Sequence, residues 1–290
     1  MRKFIIGLLF FGSIQLIAQT NPMQKLYMHE QEALYQTALG LDLVSDTTYD
    51  VKFYYPDVEI SLDQPYISGK VTYLVIAEID GLTQLNLDLD GAFTVDSVTQ
   101  AASGFSFDNE ILTINFSSTY NSGDTIIFAV YYHGVPELAG GQKGLRYENH
   151  HTNQLVIASL STPYLGYTWW PCKDGTLDKA DSLYFDITIK DTLVDGIPVI
   201  GVSNGILESV VSFDGKKKFS WRHRYPIVPY YVMIAISNYV EFQEEYNNGI
   251  DSFPLIYYVF NDDLSSSQEG VMDLPEVFDL FTNLFGPYPF

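Results

Sequence analysis

The chain has 290 residues, 47% of them apolar and 15% aromatic, enough to bury a sizeable core and too apolar for a disordered polypeptide. Its 36 acidic and 15 basic residues leave a formal charge of −21, which repels phosphate backbones and anionic headgroups and argues against nucleic acid as a partner. The aromatic load, 22 Tyr and 19 Phe, favours pleated sheets over a helical bundle.

Residues 1–18 carry Arg2-Lys3, an apolar run from Phe4 and a small residue at Ala18, the pattern of a secretory signal peptide. The competing reading is an uncleaved anchor, against which the run is short and broken by Gly7, Gly12, Ser13 and Gln15. No membrane span is expected beyond this segment, and the expected location is secreted, periplasmic or cell-surface. Export permits disulfides, yet the lone Cys172 has no partner in the chain, so stability must come from core burial.

Over 19–45, Leu26, Ala33, Leu34, Ala38 and Leu41 recur near a helical period, with Pro22 close to the start, and predict a helical lead-in. From 46 to 250 the pattern is that of strands. Val51, Phe53 and Tyr55 alternate, Asp63 to Gly69 supplies turns, and Val71, Tyr73, Val75, Ala77 and Ile79 line one face. Further runs such as "LNLDLDG", "DTIIFAVYYHG", "YFDITIKD" and "YYVMIAISNYVEF" are bounded by Gly, Asn, Asp or Pro. About ten strands joined by short turns imply a mainly β chain built as an antiparallel sandwich or saddle of sheets. Lys216 to Lys218 follow an Asp214-Gly215 turn signal and read as a solvated hairpin edge. From 251 to 290, "FPLIYYVF" predicts a strand, and Val277, Leu280, Phe281 and Leu284 predict a helix. A second domain is expected to begin near Phe253 and not to finish, which makes the chain read as a fragment.

A hydrolytic zinc site is most recognisable as His-Glu-x-x-His, where two imidazoles share one helix face and the Glu serves as base. The nearest text, "HEQEA" at His29 to Ala33, replaces the second imidazole with a methyl group. His150-His151 would at most recruit surface metal, while His133 and His223 read as structural or solvated. Cys172, in "WWPCKDGTLDKADS", lacks a Cys-protease signature and reads as a packed thiol beneath Trp169 and Trp170. No G-x-S-x-G elbow or phosphate-cradling loop is present, and "DLDG" at 88–91 is too short to indicate calcium.

Three stretches carry a family likeness: "YDVKFYYPDVEISLDQPYISGKVTYLVIA", "PYLGYTWWPCKDGTLDKADSLYFDITIKDTLVDGIPVIGVSNGIL" and "FSWRHRYPIVPYYVMIAISNYVEF". Together they resemble the amino-terminal region of zinc aminopeptidases of the aminopeptidase N and leukotriene hydrolase family, and "FTNLFGPYPF" resembles that family's entry into its catalytic domain. The resemblance runs from about Tyr49 to Phe290. It implies a saddle of β-sheets followed by the first strand and helix of a thermolysin-like domain, with peptide substrates and zinc both served by a catalytic domain beyond Pro287-Tyr288-Pro289. Pro171, Cys172, Asp174, Lys179 and Ala180 match as structural positions. No catalytic and no metal residue is transferred, and "GVMDL" at 270–274 fails the family's Gly-x-Met-x-Asn element because Leu274 replaces the Asn. Leu160 and Thr162 stand where many relatives carry Gln-x-Glu, and Tyr167 where many carry Arg. Asp174 and Asp181 are expected to accept backbone N–H bonds, and Lys179 to pair with a carboxylate. The resemblance implies the amino-terminal part of an exported zinc aminopeptidase, inert alone and roofing the active-site cleft. The alternative is a non-catalytic secreted β-sandwich that binds glycans or proteins through exposed aromatics.

Overall fold

The computed structural model describes residues 46–136, 144–150, 154–249 and 251–288; the expected signal segment and lead-in helix lie outside them. The first hairpin pairs β1 (Tyr49–Ile60) with β2 (Ile67–Ala77). In β2 the period-two pattern holds, and Val71, Tyr73, Val75 and Ala77 are fully buried, whereas Ile79 falls past the strand end and is exposed. In β1 the register slips between Val51 and Phe53, so the buried set passes from Tyr49 and Val51 to Tyr54, Val58 and Ile60. The expected alternation of Val51 with Phe53 and Tyr55 is therefore corrected: one extra residue inverts which face every later side chain meets. Gly69 is required for this pairing, since a Cβ there would lie 2.3 Å from the Asp57 carbonyl oxygen.

The chain continues through β3 (Leu82–Asp88), β4 (Phe93–Gln100), β5 (Ala102–Asp108), β6 (Ile111–Tyr120), β7 (Thr125–Gly134), β8 (Leu145–His150) and β9 (Gln154–Ser159). After a long irregular stretch come β10 (Ser182–Lys190), β11 (Leu193–Val194), β12 (Ile197–Pro198), β13 (Ile200–Ser203), β14 (Ile206–Phe213) and β15 (Lys216–His223). The strands end with β16 (Ile234–Ser237), β17 (Tyr239–Asn247) and β18 (Ser252–Phe260), followed by α1 (Leu264–Gly270) and α2 (Leu274–Phe285). Among the described residues, seventeen strands within 46–250 thus replace the expected ten or so, and β18 is the further strand expected after 251. One that the sequence conceals, β5, carries Ser and Gly and buries none of its residues, so no apolar alternation announces it.

A seven-stranded sheet, in the order β14-β15-β10-β1-β2-β7-β4, is the frame. Its ladders are antiparallel except for β1 with β10, which run parallel. The sheets β3-β6-β5 and β13-β16-β9-β8 contribute to one shared core, in which Leu85, Leu87, Ile114, Ile157 and Ile234 join Tyr73, Phe128 and Phe185. Each such side chain contributes roughly 1.5–3 kcal/mol on burial, which is how a chain without a disulfide holds together. This is the mainly β, saddle-like sandwich expected.

Two details differ. The β14–β15 hairpin turns at Asp214 and Gly215, both at positive φ, as a two-residue turn requires. The edge, however, is β14, and Lys216 to Lys218 lie one strand in. At the other end, β18 pairs with β17 from Tyr239–Phe260 to Asn247–Ser252. The helix expected from Val277, Leu280, Phe281 and Leu284 is present as α2, but all four are exposed. Phe278 supplies the packing instead, against Tyr246 and Phe253 at 5.2 and 5.4 Å between ring centroids.

Candidate functional site

The long stretch between β9 and β10 carries the residues singled out by the sequence. A single turn at Gly166–Thr168 leads into Trp169 and Trp170, both fully buried. Trp170 meets the Tyr54 ring edge-on at 5.0 Å, and Trp169 stacks near Phe185 at 6.1 Å. The Pro171 carbonyl accepts a 2.9 Å hydrogen bond from Tyr73 Oη. Cys172 exchanges backbone hydrogen bonds with Asp88, at 2.8 and 3.1 Å, and so fastens the end of β3 to this segment. Its thiol is fully buried, and burial pushes its pKa up, helped by the carboxylates of Asp174 and Asp88. A protonated, enclosed thiol is packing, as the sequence suggested, and not a nucleophile.

Asp174 donates its backbone N–H to Asp88 Oδ2 at 2.8 Å, and its own carboxylate accepts from the N–H groups of Tyr167 and Gly175 at 3.3 and 3.0 Å. It therefore plays the turn-bracing part expected of it, and Tyr167 takes part through its backbone. Burial raises the Asp174 carboxyl to about 7 and the Asp88 carboxyl to about 6; the backbone donors offset only part of that cost. Ala180 pairs with Ile227 through two backbone hydrogen bonds of 3.1 and 2.9 Å. Asp181 differs from expectation: it lies 4.0 Å from the Lys52 ammonium.

Lys179 forms no ion pair among the described residues. The buried pair belongs to Lys173, whose ammonium lies 2.6 Å from Asp178, 2.6 Å from the Tyr49 carbonyl and 4.2 Å from the centre of the Tyr49 ring. Sequence reasoning missed Lys173 and Asp178. The available signal was a lysine directly after the Trp169-Trp170-Pro171-Cys172 run, a position that forces an ammonium to find a partner indoors.

Beyond this junction the surface opens into a cleft of ≈ 1320 Å³ between the end of β9, the loop to β10, the β13–β14 turn, the segment after β15, and β18. Lys179 lines it, as do Leu160 and Ser161; Thr162, beside them, is buried. The "RHRYPIVPYYVM" run forms one long wall, and Pro226 and Pro229 explain why: they interrupt strand pairing and leave Tyr225, Tyr231 and Met233 facing outward. Asn204 braces that wall, receiving the Met233 N–H at 2.8 Å and donating to the Tyr231 carbonyl at 3.1 Å. Gly205 permits the adjoining turn; its φ is +90°, and a Cβ would sit 2.3 Å from the Arg222 carbonyl oxygen.

The histidines do not gather. His133 pairs with Asp96 at 2.9 Å, His150 stacks on Phe260 at 3.8 Å, and His223 lines the cleft, its pKa lowered by burial. His29 and His151 lie outside the described residues. Among the described residues no three His, Cys, Asp or Glu side chains converge to hold a metal. No helix among them is long and apolar enough to cross a membrane.

Neither a protein-family model nor a curated protein sequence matches the chain. Solved structures do. A mutant of the M1 zinc metallopeptidase of Deinococcus radiodurans matches with a TM-score of 0.72 and 19% identity, over 84% of this chain and 55% of its own. The chain shares its fold with M1 zinc metallopeptidases. The same mutant bound to a Tyr-Ser-Ala substrate gives 0.71, again at 19% identity and 84% and 55% coverage. A further structure of the Deinococcus radiodurans enzyme gives 0.70, with 83% and 54% coverage at 19% identity. The present chain thus spans about half the length of these neighbours. Within the M1-type fold the matched positions separate cleanly: Pro171, Cys172, Asp174 and Ala180 tie elements together, and Lys179 faces the cleft.

Proposed function

We propose that the chain is the amino-terminal portion of an exported zinc aminopeptidase that removes residues from peptide amino termini. Its cleft would form a wall of the peptide-binding space next to a reaction centre carried on other polypeptide. The observation that carries this reading is the M1-type fold shared over 84% of the chain. The family's metal has no fitting ligand set in the described residues, so zinc is assigned neither a ligand nor a step here. What the chain's own residues supply is shape: Trp169, Trp170 and the Lys173–Asp178 pair fix the loop that presents Lys179, and the tyrosine wall limits what enters. Export belongs to the same proposal and rests on Arg2-Lys3, the apolar run from Phe4, and Ala18. The deciding experiment is to sequence the gene beyond the Phe290 codon. The reading expects Gly-x-Met-x-Asn and then His-Glu-x-x-His in frame; an unrelated domain there would contradict it.

A further inference from the structure

The cleft differs in charge from the molecule around it. Against a formal charge of −21, its lining includes Lys179, Arg222, His223 and Arg224 and no Asp or Glu. Two of the cations are already engaged: Arg222 lies 2.9 Å from Asp186, and Arg224 pairs with Glu208. Lys179 is exposed and has no carboxylate partner among the described residues, so it is the charge left over.

Taken together with the exposed Tyr225, Tyr231 and Ile256, these features select a ligand class. A small inorganic anion would leave the apolar wall wet, and a cleft of ≈ 1320 Å³ has room for several residues. A polyanion such as nucleic acid would extend past the cleft into the acidic surroundings. We propose that the cleft binds a short acidic peptide segment, with a carboxylate at Lys179 and apolar side chains against the tyrosines. This rests on the reading of the cleft as peptide-facing and narrows it to acidic sequences. At 0.15 M salt the Debye length of about 8 Å keeps the outer carboxylates from cancelling the local attraction.

The test is fluorescence anisotropy of labelled eight-residue peptides, one rich in Glu and Tyr and one rich in Lys and Tyr, titrated with the purified 290-residue chain at 0.15 M salt. The acidic peptide is expected to bind about tenfold tighter, although the net charge alone favours the basic one. Lys179→Glu is expected to remove that preference. Should Lys179→Glu fail to fold, Lys179→Met is read in its place with the same expectation. Equal or tighter binding of the basic peptide, or an unchanged preference in a natively folded Lys179 variant, would overturn the proposal. The aminopeptidase reading fails separately. Acidic binding without the motifs beyond Phe290 supports the cleft assignment and removes the peptidase, whereas motifs without acidic binding overturn only the specificity.

Discussion

Two regions of the molecule hold buried carboxylates to opposite effect. On the outer face of the seven-stranded sheet, Lys216 meets Glu59 at 2.5 Å and Lys218 meets Asp57 at 2.8 Å. Beside them Arg222 and Tyr55 converge on Asp186 at 2.9 and 2.7 Å, and the guanidinium lies over the Tyr184 ring at 4.5 Å. Burial alone would raise the Asp186 carboxyl, yet hydrogen bonds from Tyr55, Arg222 and Ser220 outweigh it and hold the pKa low. At the Cys172 junction the balance is reversed, and burial wins at Asp88 and Asp174 despite their backbone donors. The difference teaches that the outer face is an adjustable cover, whereas the junction ties β3 and β1 to the loop beside the cleft and admits little change.

That contrast can be broken or sharpened by substitution. The largest effect is expected from Trp170→Ala, which opens a cavity beneath Tyr54 and costs about 3–5 kcal/mol by denaturant unfolding. Lys173→Met leaves Asp178 buried without its partner and is expected to cost a similar amount, about 3–5 kcal/mol. The double variant Lys173→Met with Asp178→Leu should recover most of that loss; failure to recover would mean that the Tyr49 carbonyl, not the carboxylate, dominates. On the outer face Arg222→Ala removes a charged hydrogen bond to Asp186 and is expected to cost about 1–3 kcal/mol.

The two regions should also diverge in pH dependence. Asp88 and Asp174 have folded pKa values above their unfolded ones, so the stability they contribute is present in acid and is lost as pH rises through about 6 to 7. Asp186 has the opposite sign, since its stabilisation is lost as pH falls through its lowered value. Melting temperatures of Asp174→Asn between pH 5 and 8 should show a shallower decline than the parent chain. The smallest effect belongs to Lys216→Ala, an exposed pair expected to change stability by no more than about 0.5 kcal/mol.

The sheets were legible where one face is buried and the register is unbroken, as in β2, where the alternation identified four of the five buried residues. Legibility failed where a single inserted residue reversed the pleat in β1, because no composition signal marks a bulge without Gly or Pro. In α2 the apolar stripe identified the helix but not its packed side, which is set by Phe278 meeting the β17–β18 hairpin. At the candidate site the sequence identified the Cys172 loop and the packed state of its thiol. It assigned the carboxylate partner to Lys179 when burial gives it to Lys173, a distinction that depends on which lysine the fold encloses. The cleft was invisible, because its walls come from six segments that no sequence window spans.

The central claim, that this chain shapes a neighbouring reaction centre without holding one, is tested most directly by metal and activity measurements on the purified 290-residue chain. It would be incubated with zinc, freed of excess metal, and assayed together for zinc content and for hydrolysis of amino acid anilides. The account predicts zinc well below one ion per chain and no hydrolysis above buffer. A stoichiometric zinc ion with hydrolysis that disappears on chelation would contradict it.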